Sequence, residues 1–423
     1  MNKIRHYLLI IIFFLPLIAC EDDNIIDDPI LPDIQTFTFF TNDTYVSENQ
    51  RKWVLIYDSE NILLAEKELE NNKEIILEWE SDDNDSQLMI QLITFNSSTH
   101  SESYTVDTYT DLKPDVWHLK GNVAPEKPDK LGSNRVELND FDYHAYTYRT
   151  IQNLGNGTRG LGDDYFFIDQ HFNPDMIWMS FFNPGENPMY KLVENVSLNE
   201  DFSFSSNDIL QMEDYVEYEF PESNVSDIMI TSYQPFYDGI NTRFRMYHNT
   251  QFDPSTSIRG FYPGDLFTGY ELSTYFQSDN ITESMIYRGA ALPAEFIRME
   301  TSEVISNTSI HGFNSLVNAD AEYMRHDWNF VIIVPGGISR FFYYNVFSPV
   351  SQNFNFAAPE LPGYITDLDN ELIDLNNLDF KFTRFSKTDN LSGYDDFIHN
   401  QYVDPGEYND YSLRLFKSIW YQD

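Results

Sequence analysis

Short runs of alternating apolar and polar residues recur along the chain from residue 34 onward. Ile34–Phe40, Lys52–Tyr57, Asn61–Ala65, Glu74–Trp79, Gln87–Phe95 and Ser103–Tyr109 are each five to nine residues long and rich in β-branched or aromatic side chains. A period of two sends alternate side chains to opposite faces of a strand, so each run predicts a half-buried β-strand. Turn formers such as Asp58-Ser-Glu-Asn61 and Ser81-Asp-Asp-Asn-Asp-Ser86 separate them. So many runs within residues 34–120 predict an N-terminal antiparallel β-sandwich of immunoglobulin-like size. The cysteine pair of true immunoglobulin domains is missing, so the likeness is one of architecture only.

Residues 121–135 hold two prolines, two glycines and three cations, and this shift in composition predicts a linker. Strand-like runs resume at Val136–Leu138 and continue to Ser412–Trp420, giving a β-rich region over 136–423 of one or two domains, any division falling near residue 240. Helical spacing is rare: Ile209–Tyr218, Ala294–Ser302 and Ser315–Met324 are the segments that show it. The predicted fold class is mainly β, with tandem antiparallel β-sandwich domains and a few short helices. Three runs centre on tryptophans, Trp53, Trp178 and Trp328, spaced 125 and 150 residues apart. That spacing is too wide for a solenoid or propeller. It suits either diverged sandwich domains or buried strands that merely look alike.

Charge narrows the function. The chain has 68 Asp plus Glu against 26 Lys plus Arg, a formal net charge of -42. Without cations to displace condensed counterions, such a polyanion has no nucleic-acid partner. Its 68 aromatic residues exclude wholesale disorder.

At the N-terminus, Lys3 and Arg5 precede an apolar run from Tyr7 to Leu17, followed by Leu17-Ile18-Ala19-Cys20. The run is shorter than the roughly 20 apolar residues a membrane-spanning helix needs, and it contains Pro16. Its ending resembles the lipobox of bacterial lipoprotein signal peptides. The resemblance implies that residues 1–19 are removed and that Cys20 is lipidated, fixing the chain to the membrane. Cys20 is the only cysteine, so thiol catalysis, thiolate metal sites and disulfides are excluded for the rest of the chain. Residues 20–33 form an acidic tether. Its opening, Cys20-Glu21-Asp22-Asp23, is similar in part to surface lipoproteins of the Bacteroidota. That likeness implies an outer-membrane protein exposed at the cell surface.

Motifs for chemistry are sparse. Gly155-Asn-Gly157-Thr-Arg-Gly160 has dinucleotide-loop spacing, but acidic Asp163 and Asp164 and a strand-like run follow instead of a helix N-terminus. No paired histidines at metal spacing, H-E-x-x-H or G-x-S-x-G occur. Asp367, Asp369 and Glu371 alternate as oxygen donors and are the candidate calcium ligands, and no other cofactor is expected. Residues 160–242 carry sixteen acids and one cation, Lys191. There and just beyond, aromatics fall in Pro/Gly-punctuated segments. Tyr233, Phe236, Tyr237, Phe261 and Tyr262 are the candidate ligand-binding rings, since flat apolar faces beside carboxylates and amides suit sugars.

The resulting expectation is a cell-envelope lipoprotein that acts as a non-enzymatic, surface-exposed binding or interaction protein, with a glycan or a protein as ligand. Two alternatives are a glycan-binding or glycan-degrading surface lipoprotein and a structural component of an outer-membrane assembly.

Overall fold

Where the sequence alternates, the chain is extended, and the fold is mainly β with sandwiched sheets and only a few short helices. The computed structural model describes residues 33–81, 87–98, 101–121, 128–140, 142–151, 154–158, 165–220, 223–236, 240–251, 257–333, 339–405 and 411–421. Twenty-eight strands lie within them.

A twelve-stranded sheet is the frame. From one edge its strands are Ile240–Gln251, Val225–Phe236, Gly269–Gln277, Ile281–Gly289, Leu413–Trp420 and Asp379–Thr388. They continue through Tyr323–Ile332, Ser339–Pro349, Ser101–Leu112, Leu88–Ser97 and Gln50–Tyr57 to Leu63–Glu68 at the other edge. The sheet therefore does not stop at the predicted linker. Its N-terminal and C-terminal strands join through a parallel pairing of Ser101–Tyr109 with Ser339–Phe347. Of the linker itself, residues 122–127 lie outside the described residues, and Gly132–Arg135 already belong to the strand Gly132–Asn139.

Three apolar cores follow from this frame. In the first, Asp33–Thr41, Glu74–Ser81 and Val116–Leu119 form a small sheet that covers the N-terminal strands of the long one. Phe37, Phe39, Leu77 and Trp117 meet Val54, Ile56, Ile90 and Tyr109 there. In the second, Val136, Leu138, Phe166 and Ile168 pack on Ile177, Met179 and Phe181. The strand Asp175–Phe182 is buried on both faces, because Met176 and Trp178 point instead into the third and largest core.

All three repeat tryptophans, Trp53, Trp178 and Trp328, are buried in that third core, each on a strand with a neighbour on either side. Trp53 and Trp328 nevertheless share one sheet.

The three helical expectations are corrected. Ile209–Tyr218 contains the strand Leu210–Gln211 and all but the last residue of Asp214–Glu219, with Val216 and Tyr218 turned inward two residues apart. Ser315–Met324 falls on Phe313–Ala319 and the start of Tyr323–Ile332, and Ala294–Ser302 runs without helix into Thr301–Asn307. The short α-helices occur elsewhere, at Gly363–Thr366 and Tyr394–Ile398.

Candidate functional site

A cleft of about 580 Å3 opens where the N-terminal strands meet the C-terminal part of the chain. One wall is the turn after Gln50–Tyr57, which supplies Asp58, Ser59 and Asn61. Asp58 shapes this turn by accepting the backbone N–H groups of Glu60 at 2.9 Å and Ile62 at 2.8 Å through Oδ1. That is the local bonding for which Asp is favoured in turns. Asn61 adopts a left-handed φ of 65°, a conformation Asn tolerates better than most residues. Its Nδ2 donates to the Ala357 carbonyl at 3.1 Å and so ties this wall to the opposite one.

That opposite wall is the strand Asn353–Phe356. Phe354 and Phe356 are buried while Asn353 and Asn355 face outward, so one period-two segment supplies both core and amides. Gln87, Leu88, Met89, Thr110, Asp111 and Pro349 complete the cleft.

Gln87, Asp111 and Pro349 also line a neighbouring hollow of about 550 Å3 that runs on to Lys113, Asp115, Asp395, Asp396 and His399. The two form one trough. Asp111 stands at their junction with φ at 57°, its Oδ2 accepting from Thr110 Oγ1 at 3.0 Å. Burial first, and then the charge of Asp111, pushes the Tyr394 hydroxyl far above the usual phenol range. Tyr394 thus stays protonated and donates to the Phe347 carbonyl at 3.0 Å. Chemically the trough offers carboxylate acceptors and two-way amides over an apolar floor. This set matches a polyhydroxylated ligand, whose hydroxyls both donate and accept.

The residues singled out from sequence lie elsewhere. Cys20 and Tyr237 are outside the described residues, and Tyr233 and Phe236 sit on Val225–Phe236 at positions whose side chains are likewise not described. Phe261 is buried, with Tyr247 at 5.5 Å and Tyr215 at 5.7 Å between ring centroids, so it presents no free face to a sugar. Tyr262 is half-buried against Tyr270 at 5.1 Å. Gly260 permits this packing: a Cβ there would lie 2.5 Å from Ile228 Cδ1, so the strand Ser257–Tyr262 can press directly onto the long sheet.

Asp369 and Glu371 each bind the Arg340 guanidinium at 2.7 Å, so both carboxylates already face one cationic side chain. Asp367 caps Gly363–Thr366. No group of three or more His, Cys, Asp or Glu suited to a metal ion occurs among the described residues. The strand Leu154–Thr158, which overlaps the first four residues of the dinucleotide-like glycine segment, pairs with Ala145–Arg149, and residues 159 and 160 of that segment lie outside the described residues.

Asn61, Gln87, Asn353 and Asn355 are not among the residues that sequence motifs single out. A signal was present in Asn353-Phe-Asn-Phe356, where amides and rings alternate.

No family model matches the chain, and no curated protein matches it. Among solved structures, a Streptococcal ancillary pilin is similar at 8% identity over 58% of this chain and 91% of the pilin, with a TM-score of 0.14. The Bacillus anthracis TIE protein is similar at 6% identity, covering 77% of this chain and 68% of that one, with a TM-score of 0.15. Escherichia coli alpha-2-macroglobulin activated by porcine elastase is similar at 8% identity over 92% of this chain and 43% of its own, at 0.14. At these TM-scores the likenesses carry no argument about function.

Proposed function

We propose that this protein is a lipid-anchored binding protein of the cell envelope, displayed on the outer face of the outer membrane, that takes a glycan in the trough without transforming it. The observation that carries the reading is the cleft wall of Asn61, Gln87, Asn353 and Asn355 beside Asp58 and Asp111, hydrogen-bonding groups over buried Phe354 and Phe356. The address rests on Leu17-Ile18-Ala19-Cys20 and the acidic residues after it. An extended, like-charged tether would hold the β-body clear of the membrane.

Two experiments test the two halves separately. Replacing Cys20→Ala should move the protein from the membrane fraction to the soluble fraction, and an unchanged distribution would refute the anchor. For the ligand, the intact protein in detergent is screened on a glycan array. The double variant Gln87→Ala/Asn353→Ala, altered at two exposed positions, should then weaken the best hit about tenfold through lost hydrogen bonds. Undiminished binding by the variant would place the glycan elsewhere, and an array without hits would remove the glycan reading.

A further inference from the structure

The trough is not chemically uniform along its length. In the cleft half, the amides of Asn61, Gln87, Asn353 and Asn355 share the lining with Asp58 and Asp111. In the other half the lining turns to charge, with Lys113, Asp115, Asp395, Asp396 and His399. Each half alone falls in the size range of a small-ligand pocket, about 300–1,000 Å3. The whole therefore has room for several linked sugars.

Asp58, Asp111, Asp115, Asp395 and Asp396 line the trough, and none of them forms an ion pair with a described residue. Elsewhere Glu68 holds Arg51 at 2.9 Å and Asp169 holds Lys130 at 2.7 Å. Lys113 is the one Lys or Arg among the described lining residues, so it balances at most one of these carboxylates.

The oxygens in the charged half are open to a ligand, because Asp115 and Asp395 are exposed and Asp396 is half-buried. Asp115 Oδ1 accepts the Val116 backbone N–H at 2.7 Å, which leaves its Oδ2 free. Asp396 Oδ2 accepts the Ser392 backbone N–H at 2.9 Å, which leaves its Oδ1. The bonds from Ser392, and then the charge of His399, hold the Asp396 carboxyl below its ordinary range, so it stays ionised. Asp395 accepts from no described residue.

We propose, on the reading that the trough holds a glycan, that its preferred ligand is an oligosaccharide carrying free amines, one ammonium seated among Asp115, Asp395 and Asp396. A sugar with hydroxyls alone would donate to these carboxylates without neutralising them. A uronate or sulfated sugar would meet like charge in the lining and approach against the field of the whole protein. An ammonium both donates and neutralises, and such charge-assisted bonds are roughly twice as strong as neutral ones. The amides of the cleft half then take the hydroxyls of neighbouring units.

The test is calorimetry on the full chain in detergent at mildly acidic pH, where sugar amines are protonated and exposed carboxylates ionised. Three pentasaccharides serve as probes: β-linked glucosamine, its N-acetylated counterpart and oligogalacturonate. The glucosamine oligomer should bind at least about tenfold more tightly than either of the others. Its affinity should fall as salt rises, since salt screens exposed ion pairs. The variant Asp115→Asn/Asp395→Asn, altered at two exposed positions with side-chain size kept, should weaken it about tenfold with unfolding unchanged. Absence of glucosamine-oligomer binding overturns the proposal. So does binding of either control as tightly, or undiminished affinity in the variant. Where the glycan array yields hits and the glucosamine oligomer fails, the amine preference falls alone. An array without hits removes the glycan reading as well.

Discussion

Residues 33–121 produced alone will not fold. The parallel pairing of Ser101–Tyr109 with Ser339–Phe347 is the only ladder the Ser101–Leu112 strand has on that side. Removing the partner bares a row of backbone donors and acceptors, which seeks other chains. Side chains across the seam go with it, including Gln91 Nε2 donating to the Tyr344 hydroxyl at 2.6 Å and Asn345 Nδ2 donating to Asp107 at 2.7 Å.

The larger loss is apolar. Trp53, Leu55, Tyr57, Ile93, Tyr104 and Val106 all turn away from the N-terminal sandwich and into the large core that the C-terminal strands complete. At about 1.5–3 kcal/mol for each large apolar side chain, exposing six costs on the order of 10 kcal/mol. That is comparable to the whole stability of an ordinary domain, about 5–15 kcal/mol. The fragment should therefore show no cooperative urea transition and no near-ultraviolet circular dichroism. A chain nicked by a protease site placed within residues 122–127 should instead keep its two pieces together on gel filtration. A fragment 33–121 that unfolds cooperatively would mean the seam is a contact between autonomous domains.

What the sequence reveals and what it hides divide along the range of the interaction. Strands such as Glu74–Ser81 are visible because buried Ile75, Leu77 and Trp79 alternate with exposed Glu74, Ile76, Glu78 and Glu80, three of them glutamates, and a half-buried strand imposes that pattern on its own residues. The helix misreadings have a local cause as well. Ile209, Met212 and Val216, and likewise Leu316, Ala319 and Tyr323, fall three and four apart and imitate a helical stripe. Burial of Phe313, Ser315 and Val317 on one face of a strand shows that period two governs there.

Strand order is another matter. Nothing local in Ser101–Leu112 encodes a partner more than two hundred residues downstream, so a proline-and-glycine-rich stretch read as a domain boundary although the sheet runs past it. The cleft was hidden for the same reason. Its two walls meet through Asn61 and Ala357, far apart in sequence, and each wall alone reads as an ordinary polar turn or edge. Phe261 resembles a loop aromatic because proline and glycine surround it, yet it is buried, and Gly260 beside it lets the strand pack closely on Ile228.

Replacing Glu303→Gln will destabilise the protein by about 1–3 kcal/mol, because it removes the buried carboxylate from its hydrogen bond with His326. Glu303 Oε1 lies 3.3 Å from His326 Nε2, and neither side chain is exposed. His326 stacks on Phe354 at 4.5 Å and meets the edge of Phe313 at 4.8 Å, so water cannot take over the role of the lost carboxylate. Tyr421 donates its hydroxyl to Glu303 Oε2 at 3.3 Å from the last described segment, which extends the effect to the C-terminal strand.

Burial alone would push the Glu303 carboxyl up, but the hydrogen bond and electrostatic interaction with His326, joined by hydrogen bonds from Thr383 and Ser315, outweigh it and hold the group below its ordinary value of 4.5. A carboxyl whose folded pKa is depressed adds stability that is whole above its unfolded pKa and lost as pH falls through the folded one. Wild-type stability should therefore decline below about pH 4.5 more steeply than that of Glu303→Gln. Urea unfolding at a series of pH values measures both the offset and the slope.

The double variant Glu303→Met/His326→Phe removes the carboxylate and the imidazole together and offers Phe354 another ring. It should lose less stability than Glu303→Gln alone, since an apolar replacement of a whole buried pair is often close to neutral. A double variant no better than the single one would show that packing around the site, rather than the unpaired imidazole, dominates the cost.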